Sequence, residues 1–429
     1  MKHTNQNATS RTAPAQAQTD DHPQPWRWPP PDYDPLPAIQ RYMSGGGSLT
    51  PKGRDGVIAA CEDALCRRFD QPRAILMSSG TMALYSAFFA IGLKPGDEII
   101  CPTVTFHATA TPALHLGAKV VLVDVDPETG CIDPDAAAAA VTPRTTAIVT
   151  NAQWGHPVDQ EAIAAICQRH RLAWVEDISH AHGASWNGRQ VGTWGDLACA
   201  SLGAEKMLTG GMGGVLMGRH DDLVDRAVLC SHYLFRSKTD IRTPGHEGLA
   251  RTGYGLKLGI HPIAAVVILD QLENHFDRWL AERDDSLRRL RQGLSGLAGL
   301  RPPVIRPEVT SMGAWYGFKP WIDTKALGIS REQLVTRLQT HGIEVDAPGS
   351  PPLHQLPLFD PARYPICDWA KAPLDPDAFP GATSYSGGIL SLPTLTGPLD
   401  GSRLERTSKA FKNVWVDLLA GNQDKISHQ

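Results

Sequence analysis

Between residues 54 and 231, short apolar runs alternate with segments of helix length, and this alternation constrains the fold more than any other feature of the chain. The runs are Ala-Ile-Leu-Met (74–77), Glu-Ile-Ile-Cys (98–101), Val-Val-Leu-Val (120–123), Ala-Ile-Val-Thr (147–150) and Trp-Val-Glu (174–176), with two more at 197–202 and 214–217. The spacing predicts helices over 54–69, 81–92, 106–117, 159–171 and 220–231. Strands separated by helices pair in parallel, and the helices cover both faces of the sheet. Strands buried on both faces read as continuous apolar runs, as these do. The prediction is an α/β fold with a largely parallel, seven-stranded sheet. A long helical stretch follows at 261–297, and beyond Pro302-Pro303 the elements shorten and become rich in Pro and Gly. That change of texture predicts a smaller α+β domain. The chain therefore divides into an N-terminal arm (1–37), a large domain (38–297) and a small C-terminal domain (298–429).

The arm is rich in Gln, Thr, Ala and Pro and ends in Trp-Arg-Trp-Pro-Pro-Pro (26–31). Such a composition buries too little apolar area to offset its ordering entropy, so about the first 22 residues are expected to be disordered. The two tryptophans leave two readings of 26–42: packing against a neighbouring surface, or a loose polyproline-like arm.

Composition narrows the function. A net charge of −4 over 429 residues gives no basic footprint, so no nucleic-acid partner is expected. No run approaches about 18 uninterrupted apolar residues, so no membrane span is expected. The eight cysteines match no zinc or redox spacing, and most sit in apolar runs such as Leu-Ala-Cys-Ala-Ser (197–201). Together with an N-terminus lacking an apolar signal core, they favour a reducing, cytoplasmic setting.

Three places carry candidate chemistry. Ser78-Ser79-Gly80-Thr81 follows a strand and opens a helix, where backbone amides and small hydroxyls suit a phosphate; any helix start prefers the same residues. Asp177 ends another strand, where ligands gather in open α/β sheets, and its carboxylate could keep a pyridine nitrogen protonated; alternatively it caps the next segment. His180 and His182 stand two apart with no third ligand cluster, which makes them structural rather than metal-binding, and no metal is expected. Lys206 ends an apolar stretch just before Gly-Gly-Met-Gly-Gly (210–214). Desolvation there would favour its neutral, nucleophilic amine, and the alternative is a solvated surface lysine. The glycines let the backbone approach a ligand or turn with positive φ.

The order of these pieces resembles the DegT/StrS-type sugar aminotransferases, fold-type I enzymes that depend on pyridoxal 5′-phosphate. The resemblance is densest in Ser79-Gly80-Thr81-Met-Ala-Leu, 95–106, 116–126, 142–149, 176–184 and 191–196, and returns in Pro-Leu-His-Gln-Leu-Pro-Leu-Phe (352–359). It implies that Lys206 carries the cofactor as a Schiff base and moves a proton, and that Asp177 pairs with the ring nitrogen. It implies that Ser79, Gly80, Thr81 and Ser201 bind the phosphate, that Phe106 stacks on the ring, and that His180 faces the phenolic oxygen. Where relatives carry an Asn that reaches the neighbouring subunit's phosphate, this chain reads Gly253-Tyr-Gly-Leu-Lys257, so Lys257 is the candidate for that contact. The implied activity is transfer of an amino group from Gln or Glu to a keto-sugar or cyclitol by a homodimer with shared active sites. Two alternatives keep the fold: a pyridoxal enzyme that eliminates, dehydrates or couples carbon centres, and a non-catalytic subunit. Family dehydratases replace the lysine with His, so the retained Lys206 argues against that variant.

Overall fold

The computed structural model describes residues 28–30, 32–203, 205–348, 350–360, 375–397 and 401–426. The expected disordered tail and Trp26 lie outside the described residues, as does Cys367. Seven strands form one sheet: β1 (Arg73–Met77), β2 (Glu98–Pro102), β3 (Lys119–Val123), β4 (Thr145–Asn151), β5 (Ala173–Asp177), β6 (Leu197–Ser201) and β7 (Gly214–Gly218). Their spatial order is β1-β7-β6-β5-β4-β2-β3. All neighbours are parallel except β7, which runs antiparallel to β1 and β6. This is the largely parallel, seven-stranded α/β sheet that the apolar runs predict.

Helices cover both faces, and among the helices α1 (Leu36–Ser44) and α4 (Gln160–His170) bury Ala38 and Ile163. On one side α3 (Gly80–Ala90) and α5 (Asp221–Ser231) bury Leu84, Ala87, Phe88 and Val228 against Ile75, Val175 and Leu216. On the other, α2 (Gly56–Arg68) and α6 (Pro262–Asn274) set Leu65 and Ile268 against Leu76, Ala198 and Met217. Alternate residues of one strand thus feed opposite cores, as pleating requires. Each such aliphatic side chain contributes about 1.5–3 kcal/mol when fully buried. A separate core, with Trp315, Phe318, Leu334, Phe411 and Trp415 fully or almost fully buried, gathers residues from the C-terminal third of the chain.

Two predicted helices are broken. The stretch 261–297 forms α6 and α7 (Phe276–Leu294), separated at His275, whose φ of −132° leaves the helical region. Its ring packs with Tyr33 and Trp279 in a three-ring cluster. The segment 106–117 becomes a 3₁₀ turn (His107–Thr109) and a short helix (Thr111–His115). Pro112 has no N–H to continue the ladder, so the helix restarts at its first turn.

Of the arm, Trp28 is packed. It is 7% exposed, meets Trp279 edge-on at 5.0 Å, and lies under the Arg283 guanidinium at 4.2 Å. Among the described residues no helix is long and apolar enough to cross a membrane. The seven described cysteines are free.

Candidate active site

The parallel strands aim their carboxyl ends at one edge of the sheet, so the residues that follow them converge. Ser79 follows β1, Phe106 follows β2, Trp154 follows β4, Asp177 ends β5 and Ser201 ends β6. The antiparallel β7 begins at this same edge, with Gly214 paired to both Met77 and Ser201. A Cβ at Gly214 would lie 2.3 Å from the Ser79 carbonyl carbon, so only glycine lets β7 pass the start of α3. Ser79, Phe106, Trp154, Asp177 and Ser201, with His180 and Lys206, line a cavity of ≈ 1420 Å³.

The start of α3 has the features of an anion site. Ser79 is extended and its side chain accepts from Met82 N, capping the helix. Gly80 and Thr81, its first residues, have N–H groups with no acceptor inside the helix. A Cβ at Gly80 would come within 2.9 Å of the Ser201 Cα and Cβ, so the helix start packs directly against Ser201 at the cavity wall. Gly80 has no side chain to obstruct the approach of a phosphate.

Asp177 is buried and held on both oxygens. Thr109 Oγ1 donates to Oδ2 at 2.8 Å and Ser179 N donates to Oδ1 at 3.1 Å. A carboxylate has lone pairs for more than these two bonds, and Asp177 lines the cavity with the remainder. Beside it on β4, Asn151 Oδ1 is buried with no hydrogen-bond partner among the described residues, and Asn151 also lines the cavity. An acceptor left unpaired at a polar cavity wall is the feature expected where a ligand completes the bonding.

Lys206 lies in the same cavity with its ammonium 3.6 Å from the centre of the Tyr316 ring. Burial pushes its pKa down to about 8, while the Asp177 charge opposes the change. Its main-chain carbonyl accepts from Trp28 Nε1 at 2.8 Å, so the arm fixes the backbone of the lysine. His180 stacks on Tyr316 at 4.3 Å and on Trp154 at 5.1 Å. Burial, then the charges of Lys206 and Lys319, holds its pKa well below the usual value, so it stands as a neutral imidazole able to donate one hydrogen bond. His182 is turned away and fully buried, with its ring edge-on to Phe69. Phe106 lines the cavity but is 58% exposed, its ring leaning on His107. Lys257 is exposed and lies outside its own chain's cavity, in a segment tied to β1 by Ser78 N donating to Leu258 O.

Sequence reasoning named His180 but missed the aromatic partners it stacks on, Trp154 and Tyr316, and Lys319 beside them. Trp154 adopts a left-handed φ of 56°, followed by Gly155 at φ 109°, where a Cβ would lie 2.8 Å from the Trp315 Cα. The Trp-Gly pair was the available signal for a tight turn at a strand end. Tyr316 and Lys319 come from the C-terminal third, and no local pattern points them to this cavity. The donors present fit pyridoxal 5′-phosphate: an amine of lowered pKa, a carboxylate with spare lone pairs, and a capped helix start beside a hydroxyl.

A model of the DegT/DnrJ/EryC1/StrS aminotransferase family matches residues 46–400. The L-glutamine:2-deoxy-scyllo-inosose aminotransferase of Streptomyces kanamyceticus is 32% identical over 83% of this chain and 85% of its own length. The L-glutamine:scyllo-inosose aminotransferase of Streptomyces griseus is 31% identical over 90% of this chain and 93% of its own length. Among solved structures, the aminotransferase TlmJ from Streptoalloteichus hindustanus superposes with a TM-score of 0.73 at 26% identity, covering 90% of this chain and 96% of that one.

Proposed function

This chain belongs to the DegT/DnrJ/EryC1/StrS aminotransferase family, and on that premise we propose that it moves the amino group of glutamine or glutamate to the ketone of a sugar or cyclitol, with pyridoxal 5′-phosphate held at Lys206. The observation that carries the reading is the meeting of Lys206, Asp177 and the start of α3 in one cavity. The acceptor class and the glutamine donor follow the relatives that the chain resembles across most of its length. In this reading 38–297 form the cofactor-bearing domain and 298–429 the smaller one, a division supported by the separate core around Trp315 and Phe411.

When bound, the cofactor supplies an aldehyde carbon that can carry nitrogen and a ring that accepts electrons from the substrate carbon. Lys206 Nζ would be the attachment point and, when free, the base that moves the proton at the reacting carbon. An amine with a pKa near 8 suits both tasks, since it is neutral in an appreciable fraction near neutral pH. Asp177 holds a proton on the ring nitrogen, and Thr109 and Ser179 keep its carboxylate aimed. Ser79, Gly80, Thr81 and Ser201 bind the phosphate, and His180 donates to the phenolic oxygen. Phe106 covers one face of the ring at the cavity mouth.

We also infer a homodimer whose sites use both chains. Exposed Tyr233, Leu234 and Phe235 adjoin exposed Tyr254 and Leu256 through Leu234 N donating to Arg251 O, and an apolar surface of this kind supports a subunit contact. Lys257 stands in the same segment, available to a partner's phosphate. The test of the whole reading is a panel of amino donors and keto-sugars or keto-cyclitols, combined with borohydride reduction and peptide mapping. Amine transfer from glutamine or glutamate with label on Lys206 is expected, whereas label on another lysine would refute the assignment.

A further inference from the structure

A second buried lysine stands in the cavity, and none of the roles above uses it. Lys319 lies on the extended segment beside 389–392, with Leu392 N donating to Phe318 O at 3.1 Å and Leu390 N to Pro320 O at 2.8 Å. On the other side of that strand, Asp346 and Ser391 exchange backbone hydrogen bonds at 2.9 and 2.7 Å. The backbone therefore fixes where Lys319 starts. Its stem passes Gly317, where a Cβ would lie 2.8 Å from Lys319 Cε and 2.5 Å from the Trp154 ring. Only glycine there lets the lysine reach across Trp154.

At its end the ammonium donates to Ser391 Oγ and sits 4.2 Å from the Trp154 ring centre. Among the described residues it has no carboxylate at ion-pair distance, so two of its three donors are uncommitted. Asp346, the acidic residue lining this end, is exposed, and its Oδ1 lies 3.4 Å from Gln339 Nε2. Arg331 adds a second cation to the lining, with Nη1 donating to Ser386 O at 2.7 Å. Arg331 Nε is already paired with Glu332 at 3.2 Å, and Asp346 is exposed beside Gln339, so the buried Lys319 ammonium is what makes this end of the cavity an anion site. It is joined to the reacting amine through the aromatic wall, since Lys319 faces Trp154, Trp154 lies parallel to Tyr316 at 6.1 Å, and Lys206 faces Tyr316.

We propose that Lys319 anchors the carboxylate of the amino-acid donor, and of the oxo acid it leaves, so that the donor's nitrogen is delivered to the Lys206 end of the cavity. The inference rests on the aminotransferase reading above, in which the donor brings a carboxylate and a keto-cyclitol acceptor brings none. Burial costs an unpaired ammonium its hydration and pushes the Lys319 pKa down to about 8; an arriving carboxylate compensates for that loss. The bond to Ser391 and the contact with Trp154 hold the donor group in place before the ligand arrives, which reduces the ordering cost of binding.

The test is Lys319→Met, which keeps the length of the stem and removes the charge. Losing a charged hydrogen bond of about 1.5–3 kcal/mol should raise the KM for glutamine about tenfold to hundredfold. The KM for scyllo-inosose should stay within about twofold. Calorimetry adds a reading independent of turnover: glutarate should bind the parent protein and fail to bind Lys319→Met, while Lys319→Arg keeps part of the affinity. An unchanged donor KM, or an acceptor KM that rises as much, overturns the proposal. Should Lys319→Met not fold, the parent decides: glutarate must compete with glutamine, and failure to compete overturns it. A parent that binds glutarate through Lys319 yet transfers no amine would instead refute the aminotransferase reading and leave the anion site standing.

Discussion

The lowered pKa of Lys206 can be read directly from its chemistry, without turnover. An ordinary lysine titrates at 10.5, and burial brings Lys206 to about 8 against the opposing charge of Asp177. At about pH 7.5 such an amine is neutral in about a quarter of molecules, against about one in a thousand for the ordinary group, an advantage of a few hundredfold. The sign follows from the charge: raising the pH through 8 removes the proton, so nucleophilicity rises there rather than two decades higher. Cofactor-stripped protein should be treated with trinitrobenzenesulfonate across a pH series, and the peptide containing residue 206 followed by mass spectrometry. Its labelling rate should inflect near pH 8, with no label in Lys206→Ala. Asp177→Asn should shift the inflection lower, because the charge that favours the ammonium is gone. An inflection near pH 10 would refute the claim that desolvation governs this amine, and an upward shift in Asp177→Asn would refute the assigned role of the carboxylate.

Three further outcomes follow from the geometry. If Asp177 faces the ring nitrogen as proposed, Asp177→Asn keeps the shape of the site but removes that charge, so turnover should fall by orders of magnitude with a smaller loss of cofactor affinity; an unchanged rate in a donor–acceptor assay means another group holds that proton. Trp28→Phe keeps a ring beside Trp279 but deletes the bond to the Lys206 carbonyl, and denaturant unfolding should record a loss of about 1–2 kcal/mol; no loss would mean the arm does not hold the lysine. Lys257→Ala should weaken cofactor binding about tenfold to hundredfold if its ammonium serves a partner's phosphate. Mixing it with Lys206→Ala should then restore part of the activity, because one pocket of the heterodimer carries neither lesion, and mixing that restores nothing argues for a solvated lysine.

The sheet was legible because its information is local. Each strand is a continuous apolar run, and each of 74–77, 98–101, 120–123, 147–150 and 174–176 falls within an observed strand. The groups that cluster at the strand ends were legible for the same reason: Ser79, Asp177 and Ser201 directly follow or end apolar runs, and a parallel sheet brings such positions together. What failed to show was non-local. The break at His275 lies within an amphipathic pattern that continues through it, and the contacts that accompany the break come from Tyr33, more than two hundred residues away. The burial of Trp28 depends on Arg283 and Trp279 in the same way, so composition alone left the arm open between packed and loose.

The wall of Trp154, His180 and Tyr316 illustrates how such information is distributed. Trp154 pays for a left-handed backbone, a cost of about 1–3 kcal/mol for a residue with a Cβ, and the surroundings must over-determine that conformation. They do so at two glycines. Gly155 turns with φ 109° against the Trp315 backbone, and Gly317 leaves the room that the Trp154 ring and the Lys319 stem both occupy. Trp315 itself has a left-handed φ of 39° and is completely buried, so the turn after β4 and the segment carrying Tyr316 and Lys319 lock each other. A substitution at either glycine would displace the ring between the two lysines before it disturbed the sheet. The cofactor end of the cavity is thus encoded along successive strand ends, whereas the end assigned to the donor depends on a contact between segments about 160 residues apart.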